Sequence, residues 1–173
     1  MKTKFLPMFL FGMLFSVVTF AQTQSNKLTL GFELGLPLGD FSTVYDAGTG
    51  VSLIYHKSIG TSTYFTGNFG YMRFSGKVRV GAANLKYKAD MVPVKLGVKH
   101  YLTNDFYGAA EMGAAISTGA QSRGVAFAYS PAIGRDFSLG EKSKLDLSLR
   151  YESWVKNGHS SFLGLRTALS FGI

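Results

Sequence analysis

Eight times along this chain, apolar and polar residues alternate one for one over about ten positions, and a period of two belongs to an extended strand, not to a helix. In the stretch KLTLGFELGLPL, residues Leu28, Leu30, Phe32, Leu34, Leu36 and Leu38 fall on one face, with Thr29, Gly31, Glu33 and Gly35 on the other. A helix would scatter both sets around its circumference. The same sorting separates Val51, Leu53 and Tyr55 from Ser52 and His56, and Val92, Val94, Leu96 and Val98 from Pro93, Lys95, Gly97 and Lys99. Near the end of the chain it separates Leu145, Leu147, Leu149 and Tyr151 from Asp146, Ser148, Arg150 and Glu152. Leu163, Leu165, Leu169 and Phe171 then oppose Gly164, Arg166, Ala168 and Ser170.

Strands of about ten residues have the length that a tilted crossing of a bilayer requires. Between them, the connections alternate in length: 39–49, 75–86 and 117–124 are longer, and 57–62 and 103–105 are short. Short turns on one side and long loops on the other is the asymmetry of bacterial membrane barrels, with the turns periplasmic and the loops extracellular. The pattern predicts an all-β fold, an eight-stranded antiparallel up-and-down transmembrane β-barrel. A soluble β-sandwich also alternates, but it has no use for leucine rows on the outer faces of both early and late strands.

Residues 1–21 read as a signal peptide. Lys2 and Lys4 form the charged start, Phe5 to Val18 the apolar middle, and Thr19, Phe20 and Ala21 the approach to cleavage. The stretch is short for a membrane-spanning helix and contains Pro7. The barrel domain is then 22–173. The formal charge of +8, reduced by the two leader lysines, points to acidic surfaces nearby. For an outer-membrane protein these are lipopolysaccharide phosphates; no sequence pattern for nucleic acid binding is present. Cysteine is absent, which excludes disulfides and thiolate chemistry.

A charge at the bilayer midplane costs about 2–4 kcal/mol, so the ionised residues of the strands should face inward. These are Glu33, Lys95, Lys99, Glu111, Asp146, Arg150, Glu152 and Arg166, four acids and four bases, expected to pair in one connected network through the lumen. An eight-stranded barrel is just wide enough to be filled by side chains, so no wide channel is expected. Aromatic residues cluster at strand ends, where interfacial belts would lie: Tyr55, Tyr101, Phe106, Tyr107, Phe137 and Phe171 by the short turns, and Tyr71, Phe74, Tyr87, Phe127, Tyr151 and Trp154 by the long loops.

The segment GKVRVGAANLKYKAD reads as a hairpin that continues strands three and four beyond the membrane. Its cations Lys77, Arg79, Lys86 and Lys88 form the candidate surface-binding patch for lipopolysaccharide phosphate or an acidic glycan, and its edge could accept a partner strand. A catalytic site is less well supported. His159 and Ser161, in NGHSSF, have a His-x-Ser spacing compatible with a base and a nucleophile on one strand face, but no acid follows them to orient the histidine. His56 and His100 stand apart, and Asp40 and Asp46 are two acids in a loop, so neither a metal nor a cofactor is expected.

The leader, the hairpin MVPVKLGVKHYLTNDFYGAAEMGAAI, the strand LDLSLRYESW and the ending LGLRTALSFGI together resemble the outer-membrane protein β-barrel domain family, the small OmpA/OmpX/OmpW-like barrels. The resemblance implies residence in a Gram-negative outer membrane, contact with its lipids and lipopolysaccharide, and insertion by the barrel-assembly machinery. Family members commonly end in an aromatic residue; here Phe171 is followed by Gly172 and Ile173. A shared fold does not imply a single activity. The expected role is structural or adhesive, exercised by a monomer through its outer loops toward an extracellular ligand that no residue identifies. The alternatives are binding or passage of small apolar solutes, as for OmpW-like relatives, and lipid A modification.

Overall fold

A computed structural model describes residues 26–80, 83–119 and 124–173, with backbone alone at 77–80 and 83–85. The expected signal peptide, 1–21, lies outside the described residues. Eight strands follow in order: β1 (Lys27–Leu38), β2 (Ala47–Ser58), β3 (Thr63–Val80), β4 (Ala83–Tyr101), β5 (Phe106–Ser117), β6 (Gly124–Ser138), β7 (Ser143–Val155) and β8 (His159–Gly172). Each pairs antiparallel with its neighbour, and β8 returns to β1 with Glu33 opposite Arg166 and Leu34 opposite Leu165. Closure removes the free edges that an open sheet would have to protect.

Three turns, 59–62, 102–105 and 139–142, lie at one end of the barrel. The other end carries 39–46, which includes the 3₁₀ turn Gly39–Thr43, the connection 156–158, and the far ends of β3, β4, β5 and β6. The long connection expected at 75–86 is largely strand, because β3 runs to Val80 and β4 starts at Ala83. β2 pairs with β3 as far as Ser75, and β5 with β4 as far as Ser117 opposite Met91, so beyond these points β3 and β4 pair only with each other.

Strand parity places the leucine rows outside. Leu30, Phe32, Leu36, Leu96 and Phe127 are each more than half exposed, while Glu33, Lys95, Arg150 and Glu152 are at most 3 % exposed. Such an inside-out body is stable only where its surroundings are apolar, since no soluble domain leaves a continuous belt of this size to water. The aromatic residues divide differently from the expected belts. Tyr55, Phe106, Phe137 and Phe171 face outward by the turns, and Tyr71, Phe127 and Tyr151 by the other end, but Phe74, Tyr107 and Trp154 are buried in the lumen and Tyr101 is partly so. Their parity decides this: Phe74 shares a face with Asn68 and Met72, Tyr107 with Glu111, and Trp154 with Arg150 and Glu152.

The inward aromatics close the long-loop end. Phe74, Trp154 and Phe162 pack edge to face with ring centroids 5.0–5.6 Å apart, and Phe41 of the 3₁₀ turn sits on Phe74 at 4.9 Å. Glycine makes the room. A Cβ at Gly48 would run into the Phe74 ring, and one at Gly35 would stand 3.0 Å from it.

Two substitutions test this architecture by urea unfolding from lipid vesicles. Leu165→Arg, at mid-height of β8 on the outer face, should cost about 2–4 kcal/mol, against near zero for Leu102→Arg in a turn. Gly48→Val should cost about 1–3 kcal/mol by forcing Phe74 aside, whereas Gly140→Ala, whose added Cβ meets nothing within 4 Å, should be silent.

Candidate functional site

Below the aromatic plug, the lumen is filled by charge. Lys95 Nζ donates to Glu152 Oε2 at 2.7 Å and lies 3.2 Å from Glu111 Oε2. Arg150 Nε donates to the same Glu152 oxygen at 2.8 Å, and its guanidinium also reaches Glu33, which lies 3.8 Å from Arg166 Nε. Nearer the short turns, Lys99 Nζ lies 2.9 Å from Asp146 and 3.2 Å from Asp136, over the Tyr107 ring at 3.6 Å. Tyr107 and Tyr101 donate their hydroxyls to Asp146 and Asp136, at 2.7 and 2.5 Å. All eight residues singled out from the sequence are thus brought into the lumen and ion-paired, but in two groups instead of one. A ninth, Asp136, only 1 % exposed, joins the lower group. It lies two positions after Gly134 on the inward face of β6, so strand parity places it in the lumen.

The aromatic plug is tied to the upper ion group by the hydrogen bond from Trp154 Nε1 to Glu152 Oε1, 2.7 Å, and by Arg150, which lies over the Phe162 ring at 5.7 Å. Charges this deep are tolerable only with partners, so removing one partner is costly. Lys99→Met, which leaves Asp136 and Asp146 facing each other, should cost about 3–5 kcal/mol. Combining it with Asp146→Asn should recover part of that loss, as read from urea midpoints in detergent micelles.

Above the plug, the barrel opens into a cavity of about 680 Å³. Phe41, Tyr45, Met91 and Trp154 form its apolar side; Asp40, Lys156, Asn157, His159 and Ser160 stand among its polar residues. Sequence alone does not reveal this cavity, because its walls come together from β4 to β8 and the 39–46 and 156–158 connections. Beside it rises the β3–β4 overhang. Lys86 and Lys88 are exposed on it, and Lys88 borders the cavity. Lys77 stands opposite Lys86, and Arg79 opposite Asn84, in the ladder; the side chains of Lys77 and Arg79 lie outside the described residues. At the foot of the overhang, Arg73 Nε and the Tyr71 hydroxyl both donate to Asp90 Oδ1, at 2.5 and 2.7 Å.

His159 and Ser161 are not brought into a catalytic arrangement. Ser161 Oγ accepts from the Tyr151 hydroxyl at 2.9 Å and donates to Ser153 Oγ at 3.0 Å, while His159 is exposed at the start of β8. His56 is buried against Thr29 Oγ1 at 3.0 Å, and His100 meets Thr63 Oγ1 at 2.9 Å. Among the described residues no group of three or more His, Asp or Glu could hold a metal ion.

No protein-family model matches the chain, and no curated protein matches it. Solved structures do. Neisserial surface protein A aligns over 87 % of this chain and 98 % of its own, at 10 % identity and a TM-score of 0.60. Ail, the attachment invasion locus protein of Yersinia pestis, seen in complex with the heparin analogue sucrose octasulfate, aligns over 85 % of this chain and 98 % of its own, at 16 % identity and a TM-score of 0.53. Ail in a phospholipid bilayer nanodisc aligns over 83 % of this chain and 98 % of its own, at 15 % identity and a TM-score of 0.54. At such identities the likeness is one of fold: this chain has the fold of the small eight-stranded outer-membrane β-barrels.

Proposed function

We propose that the protein is an outer-membrane surface-binding barrel that holds anionic polymers, glycans carrying sulfate, phosphate or carboxylate, on its β3–β4 overhang. The observation that carries this reading is the overhang itself: a two-stranded ribbon that leaves the barrel wall and concentrates Lys77, Arg79, Lys86 and Lys88 within a few residues. Like charges in direct register, such as Lys77 opposite Lys86, oppose ribbon formation, so their presence there is understandable if a polyanion neutralises them. The binding of a heparin analogue by Ail, a barrel of the same fold, agrees in kind. The filled lumen weighs against passage of apolar solutes, and the engagement of the Ser161 hydroxyl with Tyr151 and Ser153 weighs against lipid A hydrolysis. Insertion by the barrel-assembly machinery and contact with lipopolysaccharide belong to the same reading.

Retention on immobilised heparin tests the proposal with the full barrel in micelles. Replacing Lys77, Arg79, Lys86 and Lys88 by alanine should weaken binding by at least ~10-fold and flatten its salt dependence. Lys142→Ala with Lys144→Ala, at the opposite end, should leave retention unchanged. Equal retention by the overhang variant and the parent protein would remove the hairpin as the binding surface.

A further inference from the structure

We propose that the cavity above the aromatic plug is a seat for one acidic sugar residue, a pyranose carrying a carboxylate, at the end or in the run of such a glycan. The proposal rests on the polyanion-binding reading and adds a second, separable contact to it. Its size falls within the range of small-ligand sites, about 300–1,000 Å³. Its composition then narrows the guest. Phe41, Tyr45, Met91 and Trp154 offer an apolar wall, with Trp154 held by its bond to Glu152. A sugar ring presents such a wall with its C–H face, at little desolvation cost, while its hydroxyl edge meets Asn157, Ser160 and Asp40. A purely aliphatic guest would leave those polar groups facing carbon, which sites of this kind penalise.

Charge selects the acid. Lys156 has no carboxylate partner among the described residues, and its ammonium lies over Gly124 at the cavity border. Of the two carboxylates on the same border, Asp90 is held by Arg73 and Tyr71, which leaves Asp40 against Lys88 and Lys156. The excess is positive and local.

The chain has a single tryptophan, Trp154, and it lines this cavity, so its emission reports occupancy directly. Titrating the intact barrel in micelles with D-glucuronate, at matched ionic strength, should give a saturable change in emission. D-glucose should bind at least ~10-fold more weakly, and Lys156→Met should lose the preference for the acid. Lys77→Ala with Lys86→Ala should keep the glucuronate response, so that loss of heparin retention in that variant with the response intact separates the two sites. A flat signal with glucuronate, an equal response to glucose, or a response to octanoate that glucuronate does not displace overturns the proposal. Far-UV circular dichroism of Lys156→Met identical to the parent excludes misfolding as the reason for any loss.

Discussion

Hydrocarbon neither accepts a hydrogen bond nor solvates an ion, and every level of this structure answers to that fact. The backbone satisfies itself by closing eight strands on one another, with Lys27 to Leu38 in register against Ser161 to Gly172. Charges cannot sit on the wall, so they go inside, where they must find partners or be ruinously costly. The Glu111–Lys95–Glu152–Arg150–Glu33–Arg166 chain and the Asp136–Lys99–Asp146 trio are the outcome. Outward leucines and inward ion pairs are two faces of one partition.

The interior is layered along the barrel axis. Tyrosine-bonded carboxylates lie toward the short turns, the six-member ion chain at mid-height, and an aromatic plug toward the long connections. Glu152 joins the last two by serving Lys95 and Arg150 with one oxygen and Trp154 with the other. A filled, cross-linked interior makes a rigid post. Variation in function then falls to what the post holds up, the overhang and the cavity mouth, which is where scaffolded loops generally carry binding.

Much of this was legible beforehand from alternation alone. Parity assigns Leu30, Phe32 and Leu165 outward and Glu33 and Arg166 inward without any knowledge of pairing. Residue type and position near strand ends point Phe74, Tyr107 and Trp154 to interfacial belts, yet each shares a face with lumen residues and is buried there. Propensity for an interface is a weak preference, whereas a strand's two-fold period is geometry. Asp136 obeys the same geometry, two residues after Gly134 on the inward face of β6, which continues to Ser138.

What the chain determined by itself was therefore the one-dimensional content: strand number, face assignment, the sign of each inward charge, and a basic ribbon between the third and fourth strands. Such properties follow from neighbours along the chain. Tertiary structure alone decided which acid meets which base, that the ions form two groups and not one, and that a cavity opens between the 39–46 connection and residues of β4, β6, β7 and β8. Those depend on the stagger of the closed sheet, which brings Lys95 against Glu152 and Lys99 against Asp146 across the lumen, and stagger is settled only when the last strand finds the first.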